Sequence, residues 1–176
     1  MNIPNLLTLF RILLVPLFVI FLIYGHTFYA FLTFVLAGIT DALDGMIARI
    51  FNQKTLLGAY LDPIADKLLL SASYIMLAVI GVLPAWLTVL VLSRDIFILI
   101  GIAVLFANHR PIEIKPTILG KVSTFIQIST VIISLAVAQP IQSLQPVLIP
   151  SIHLTTIFTL ITGFHYAYIG IRQMGD

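Results

Sequence analysis

Residues 41–66 read DALDGMIARIFNQKTLLGAYLDPIAD, and the four carboxylates of that stretch, Asp41, Asp44, Asp62 and Asp66, sit in a chain otherwise suited to lipid. Upstream, residues 27–40 (TFYAFLTFVLAGIT) carry no charge, and neither do residues 68–93 downstream (LLLSASYIMLAVIGVLPAWLTVLVLS). An aspartate at the centre of a bilayer costs at least roughly 2.5 kcal/mol, so four together need compensation of about 10 kcal/mol. A bound cation or chemistry is therefore the default reading of the cluster.

Composition agrees with a lipid setting. Of the 176 residues, 60% are hydrophobic and 9% charged, and the mean hydropathy of +1.14 lies far outside the range of ordinary globular domains. Apolar stretches long enough to cross a bilayer recur along the whole length, which predicts an all-α integral membrane protein forming a single domain over residues 1–176. Windows of about 20 residues predict transmembrane helices at 5–24, 28–51, 58–81, 84–107, 118–138 and 147–171, around a polar cavity that faces the cytoplasm. The breaks between them are Gly25-His26-Thr27, the polar run Asn52 to Thr55, Gly81 to Pro84, Asn108 to Thr117, and the proline-rich stretch Gln139 to Pro150. The apolar N-terminus has no basic residue before it, is interrupted by Arg11 and lacks a small-residue cleavage site, so it is expected to be retained rather than removed as a signal.

The absence of cysteine excludes disulfides, thiolate catalysis and zinc–thiolate sites, leaving oxygen and imidazole as metal donors. The net charge is only +2, without a basic patch interleaved with aromatics, so a nucleic acid polymer is not an expected partner. Arg49 with Lys54, Arg110 with Lys115, and Arg172 all fall on connectors of one side, while the other three connectors contain no lysine or arginine. The positive-inside rule then puts both termini in the cytoplasm, in a multi-pass arrangement. Both aspartate pairs lie toward the cytoplasmic ends of the second and third helices, so the four carboxylates can converge.

Helical residues three and four apart share a face, so Asp41, Asp44, Gly45, Ala48 and Arg49 occupy one flank, and Gly58, Asp62 and Asp66 another. Facing stripes of carboxylates suit hard divalent cations such as Mg²⁺ or Mn²⁺, and a pair of such ions could hold a diphosphate. The small residues Gly45, Ala48 and Gly58 read either as close helix packing or as room for a ligand. Arg49 reads as a counter-ion, an interfacial anchor or a bidentate phosphate ligand.

The stretch has the pattern D-x2-D-G-x2-A-R-x8-G-x3-D-x3-D, which resembles the signature of the CDP-alcohol phosphatidyltransferases with every defining residue at its spacing. The likeness extends to the opening NIPNLLTLFRI, the six-helix layout and the segments LPAW, SRD and LGKVSTFIQ. It implies transfer of a phosphatidyl group from CDP-diacylglycerol to an alcohol, with CMP leaving. It also implies two metal ions held by Asp41, Asp44, Asp62 and Asp66, with Asp66 as general base. Gly45 and Arg49 match positions that receive the nucleotide diphosphate, and Ala48 and Gly58 leave space for cytidine. Thr55 and Asn5 lie where relatives make further nucleotide contacts. A homodimer among membrane lipids is expected on the same grounds.

The acceptor is less sharply written. NIPNLLTLFRI, LDPIADKLL and LPAW resemble the branch of the family whose acceptor is glycerol 3-phosphate, and that acceptor is the first expectation. That branch carries SRE and a further arginine on the fourth helix. Here the residues are SRDIFILIGIAVLF, and together with IKPTILGKVSTFIQ they look more like the branch that uses phosphatidylglycerol. Lys67, Arg94, Asp95 and Lys121 also fall within predicted spans, where ionisable groups face a partner or a cavity. One reading is an ion pair of Asp95 with Lys67 or Arg94. The other makes Lys67, Arg94 and Lys121 the pocket of an anionic acceptor, while Arg11 touches either that pocket or lipid headgroups. A small cation or proton transporter would spread such groups across the bilayer, whereas here the carboxylates cluster at one level. The four histidines show no metal-ligand spacing and are assigned no chemistry.

Overall fold

The computed structural model describes residues 3–50, 56–107, 117–139 and 144–175, with side chains described for 6–43, 64–101, 117–139, 144–170 and 172. The described residues form six helices: α1 (Ile3–Ile23), α2 (Thr27–Ile50), α3 (Leu56–Val79), α4 (Ala85–Ala107), α5 (Ile118–Val137) and α6 (Gln145–Gly175). The five helices expected at 5–107 and 118–138 lie within a few residues of their predicted bounds.

Local chemistry accounts for the ends. Gly25 and Gly81 adopt φ of 74° and 77°, the left-handed conformation that only glycine takes without strain. At each, paired backbone bonds close the helix: Gly25 N–H to Leu22 and His26 N–H to Phe21, then Gly81 N–H to Ala78 and Val82 N–H to Leu77. The turns that result are short, so α1 and α2, and α3 and α4, run antiparallel. Thr117 caps α5 by accepting the Gly120 N–H at 3.1 Å. The stretch expected as a break up to Pro150 is instead helical from Gln145, and Pro150 lies inside α6. Pro146 falls in the first turn, where amide hydrogens have no helical partner, and Pro150 deprives only that turn's carbonyl of a donor.

Helix α1 packs against α2 and α3, α6 against α4 and α5, and α3 and α2 join these two groups through α4 and α5. Phe18 and Phe34 meet with centroids 6.0 Å apart, and the fully buried Ala30 and Ala37 let α1 approach α2 closely. The radial pattern is that of a protein in lipid. Large apolar residues such as Leu13, Val79, Phe97 and Phe164 are exposed, while Thr8, Arg11, Ser123, Gln127, Thr130 and Thr159 are buried. Hydroxyls inside the helices satisfy their own turns, as Ser73 does toward Leu69 and Ser134 toward Thr130.

Among the described residues three helical stretches are long and apolar enough to cross a membrane: Leu6–Ile23, Ile118–Val137 and Gln145–Gly170. A shorter apolar run, Thr27–Leu43, ends where the carboxylates of α2 begin. The expected connectors at 52–55 and 108–116 lie outside the described residues.

Candidate active site

Three helices meet at one guanidinium. Arg11 of α1 is fully buried, and its Nη1 donates to Oδ1 of Asp66 on α3 at 2.7 Å and lies 2.7 Å from Oδ1 of Asp41 on α2. The two carboxylate oxygens are therefore no farther apart than twice that distance, although 25 residues separate them along the chain. The carboxylates themselves are 47% and 51% exposed, so each combines a buried cationic anchor with access to the space beyond it.

Asp44, Gly45, Ala48 and Arg49 follow Asp41 on α2, and Gly58 and Asp62 precede Asp66 on α3. Helical periodicity keeps Asp44, Gly45 and Ala48 on the flank of Asp41, and Gly58 and Asp62 on that of Asp66. The side chains of these six residues and of Asn5 on α1 lie outside the described ones, as does Thr55 altogether. Among the described residues no set of three or more potential ligands gathers. The part that is described fits a hard divalent ion: two half-exposed carboxylates from different helices, held close together, with only oxygen donors.

A second polar cluster begins one residue further along α3. Lys67 Nζ donates to Asp95 Oδ2 at 2.5 Å, and Arg94 Nη1 to Asp95 Oδ1 at 2.7 Å. Both pairings expected of Asp95 are thus made at once. They stand in the wall of a cavity of about 490 Å³, to which Lys121 and Thr124 of α5 and Tyr166 of α6 also contribute. Lys121 makes no ion pair with any other described residue, and the buried Nε of Arg94 has no hydrogen-bond partner among the described residues. The ion pairs expected of Asp95 thus stand in the wall of a cavity that Lys121 also lines. The rest of the wall is apolar, formed by Ile98 and Leu99 of α4 and Phe125 and Ile128 of α5; Leu99 and Phe125 are exposed.

Arg11, expected at the acceptor pocket or at lipid headgroups, instead pairs with Asp41 and Asp66, and Tyr166 was not singled out by sequence. Arg11 was legible as an ionisable residue in an apolar helix, but not as the link between Asp41 and Asp66. Tyr166 lies under the Arg94 guanidinium, 5.8 Å from it, and its hydroxyl accepts from Thr117 at 3.2 Å. The same hydroxyl sits 2.5 Å from where a Cβ on Gly120 would stand, so glycine is required for the close approach of α6 to the start of α5. No local sequence signal marks this tyrosine.

Residues 1–163 match the model of the family described as CDP-alcohol phosphatidyltransferase. The chain is 36% identical, over 99% of its length and 84% of the relative's, to a probable phosphatidylglycerophosphate synthase of Mycobacterium tuberculosis. It is 32% identical to the CDP-diacylglycerol--glycerol-3-phosphate 3-phosphatidyltransferase of Bacillus subtilis, over 94% of the chain and 93% of that protein. It is also 38% identical to the CMP-forming cardiolipin synthase of Rattus norvegicus, over 77% of the chain and 50% of the relative.

Proposed function

The chain belongs to the CDP-alcohol phosphatidyltransferase family, and from that premise we propose that it transfers the phosphatidyl group of CDP-diacylglycerol to a hydroxyl of glycerol 3-phosphate, releasing CMP. The observation that carries the reading is the junction of Asp41 and Asp66 within the matched region, beside a cavity walled by Lys67, Arg94 and Lys121. Two relatives that cover most of the chain have the names of enzymes making phosphatidylglycerophosphate.

Transfer of a phosphoryl-type group asks a protein mainly for positioning and for neutralisation of charge on the transferring and leaving oxygens. Asp41, Asp44, Asp62 and Asp66 would hold Mg²⁺ or Mn²⁺, two ions in all, which when bound supply that neutralisation at the donor diphosphate. Arg49 and Gly45 receive the diphosphate, Ala48 and Gly58 leave room for the base, and Asn5 and Thr55 add nucleotide contacts. Asp66 takes the proton of the acceptor hydroxyl. The acceptor oxygen forms its bond to the phosphorus that bears the diacylglycerol, and the bond from that phosphorus to the CMP oxygen breaks. Lys67, Arg94 and Lys121 hold the acceptor phosphate, whose charge suits a wall with three cations and one carboxylate.

The protein is placed by this reading in a bacterial inner membrane as a homodimer. Six spans carry a polar cavity and both termini on the cytoplasmic side, where Arg49, Lys54, Arg110, Lys115 and Arg172 would lie.

One observation favours a second acceptor. The cavity between α4 and α5 is lined by charged residues and by the apolar, exposed Leu99 and Phe125, a combination that suits a phosphate carrying acyl chains. Phosphatidylglycerol would then be the acceptor and cardiolipin the product, as the name of the rat relative has it. A CMP-release assay on purified protein with CDP-diacylglycerol, Mg²⁺ or Mn²⁺ and each acceptor in turn decides the matter. Turnover with glycerol 3-phosphate establishes the first reading, turnover with phosphatidylglycerol alone establishes the second, and silence with both acceptors overturns both.

A further inference from the structure

An arginine in the most apolar of the membrane-length stretches among the described residues needs a reason. Arg11 stands within Leu6–Ile23, a stretch apolar enough to span a bilayer, yet it is fully buried and does not reach toward a headgroup. A basic side chain acting as an interfacial anchor extends its charge into water. This one instead turns inward to the point where α2 and α3 present their carboxylates. One nitrogen, Nη1, serves Oδ1 of Asp41 and Oδ1 of Asp66 at equal distances of 2.7 Å. Thr8, three residues earlier on the same face of α1, is also fully buried.

We propose that Arg11 is a positioning residue of the transferase site: it fixes the rotamers of Asp41 and Asp66 together, and so sets the spacing at which two helices offer oxygen ligands to the divalent ion and a base to the acceptor. This rests on the reading of Asp41 and Asp66 as metal-holding carboxylates. The physical argument is one of pre-organisation. An aspartate has two side-chain torsions to settle, and two aspartates on separate helices have no covalent reason to settle compatibly. A buried guanidinium whose Nη1 meets one oxygen of each imposes one arrangement on both. Groups that orient metal-ligating carboxylates in this way change metal affinity or activity by about 10–100-fold when they are removed. The alternative is that Arg11 only neutralises charge in the apo protein and competes with the ion. The two accounts differ in sign, because loss of a competitor tightens metal binding and loss of a positioning group weakens it.

The experiment titrates Mn²⁺ into purified protein without substrate, following the loss of the free-ion electron paramagnetic resonance signal, for wild type, Arg11→Lys and Arg11→Met. Arg11→Lys keeps a buried positive charge but has a shorter reach, so its ammonium does not stand where Nη1 meets both oxygens. Mn²⁺ affinity is expected to fall about tenfold in Arg11→Lys and further in folded Arg11→Met. Turnover number should fall by at least the same factors, with KM for CDP-diacylglycerol within about threefold of wild type. An Arg11→Lys protein that binds Mn²⁺ within twofold of wild type, or more tightly, overturns the proposal whatever Arg11→Met does. A wild-type protein that takes up no Mn²⁺ removes the metal-site reading itself, and this inference with it.

Discussion

Asp95→Asn tests whether the cavity wall is organised by one carboxylate. In the native protein Asp95 is buried and takes a charge-assisted hydrogen bond on each oxygen, from Lys67 and from Arg94. Hydrogen bonds to charged groups contribute about 1.5–3 kcal/mol each. The Arg94 guanidinium is buried, so that bond belongs at the upper end. Lys67 is 44% exposed, so its pair is screened by water and contributes less than about 1 kcal/mol. The amide retains one acceptor oxygen but loses the charge, leaving Arg94 buried and unneutralised, and a loss of about 3 kcal/mol is expected. That exceeds the coupling of ordinary hydrogen bonds between membrane helices, about 0.6 kcal/mol, so the effect is distinguishable from general loosening. The assay is equilibrium unfolding in detergent micelles of Asp95→Asn, Arg94→Met and the double variant. Strong coupling requires the double variant to be less destabilised than the two single variants added together. Additive single effects, or an Asp95→Asn protein as stable as wild type, would refute the assignment of Asp95 as organiser of this wall.

Three further outcomes follow from the geometry. Asp66→Asn should lower CMP release by at least about 100-fold, the usual contribution of a general base, while equilibrium binding of CDP-diacylglycerol stays within a few-fold; an active Asp66→Asn enzyme removes the base. Lys121→Ala takes away a cavity cation that is unpaired among the described residues, so KM for the anionic acceptor should rise about tenfold with KM for CDP-diacylglycerol unchanged, as steady-state kinetics with each substrate varied would register. Gly120→Ala puts a Cβ 2.5 Å from the Tyr166 hydroxyl and forces that ring to withdraw from Thr117, a loss of about 1 kcal/mol; thermal unfolding should show a smaller penalty for it in a Tyr166→Phe background, and an equal penalty in both would mean that the hydroxyl is not what the methyl meets.

The helices were legible because an apolar window of about 20 residues needs little context, and Gly25 and Gly81 mark their own turns. The approach of Asp41 to Asp66 was legible for another reason: both lie near a short connector, so the antiparallel arrangement of α2 and α3 brings them to one level without knowledge of helix packing. The role of Arg11 was not legible. A lone arginine in an apolar stretch can extend to the headgroups or turn inward, and only the packing of α1 against both α2 and α3 selects the second. The break drawn as far as Pro150 ran too long because its prolines resemble a loop, when Pro146 sits in a turn with amide hydrogens to spare. Tyr166 was out of reach for a different reason, since its partner Thr117 lies 49 residues away on another helix.

What holds that distant contact in place is a polar seam between α5 and α6. Ser123, Gln127, Thr130 and Ser134 are all buried on one face of α5, and Thr155, Thr159 and Thr162 answer them on α6. Gln127 donates to Thr159 at 3.2 Å, Thr130 and Thr155 share a bond of 2.8 Å, and Thr162 reaches Ser123 at 3.5 Å. At about 0.6 kcal/mol per interhelical bond in lipid, these add only modestly to stability. Their spacing makes them effective in a different way. Leucine faces would permit α6 to slide along α5, whereas a slip of one turn, about 5.4 Å, would break every bond of the seam together. Such a slip would also carry Tyr166 away from Thr117 and from the Arg94 guanidinium. The register of α5 and α6 thereby fixes the wall of the cavity that Lys121 and Tyr166 line, and hydroxyls far from its charged groups become conditions of its shape.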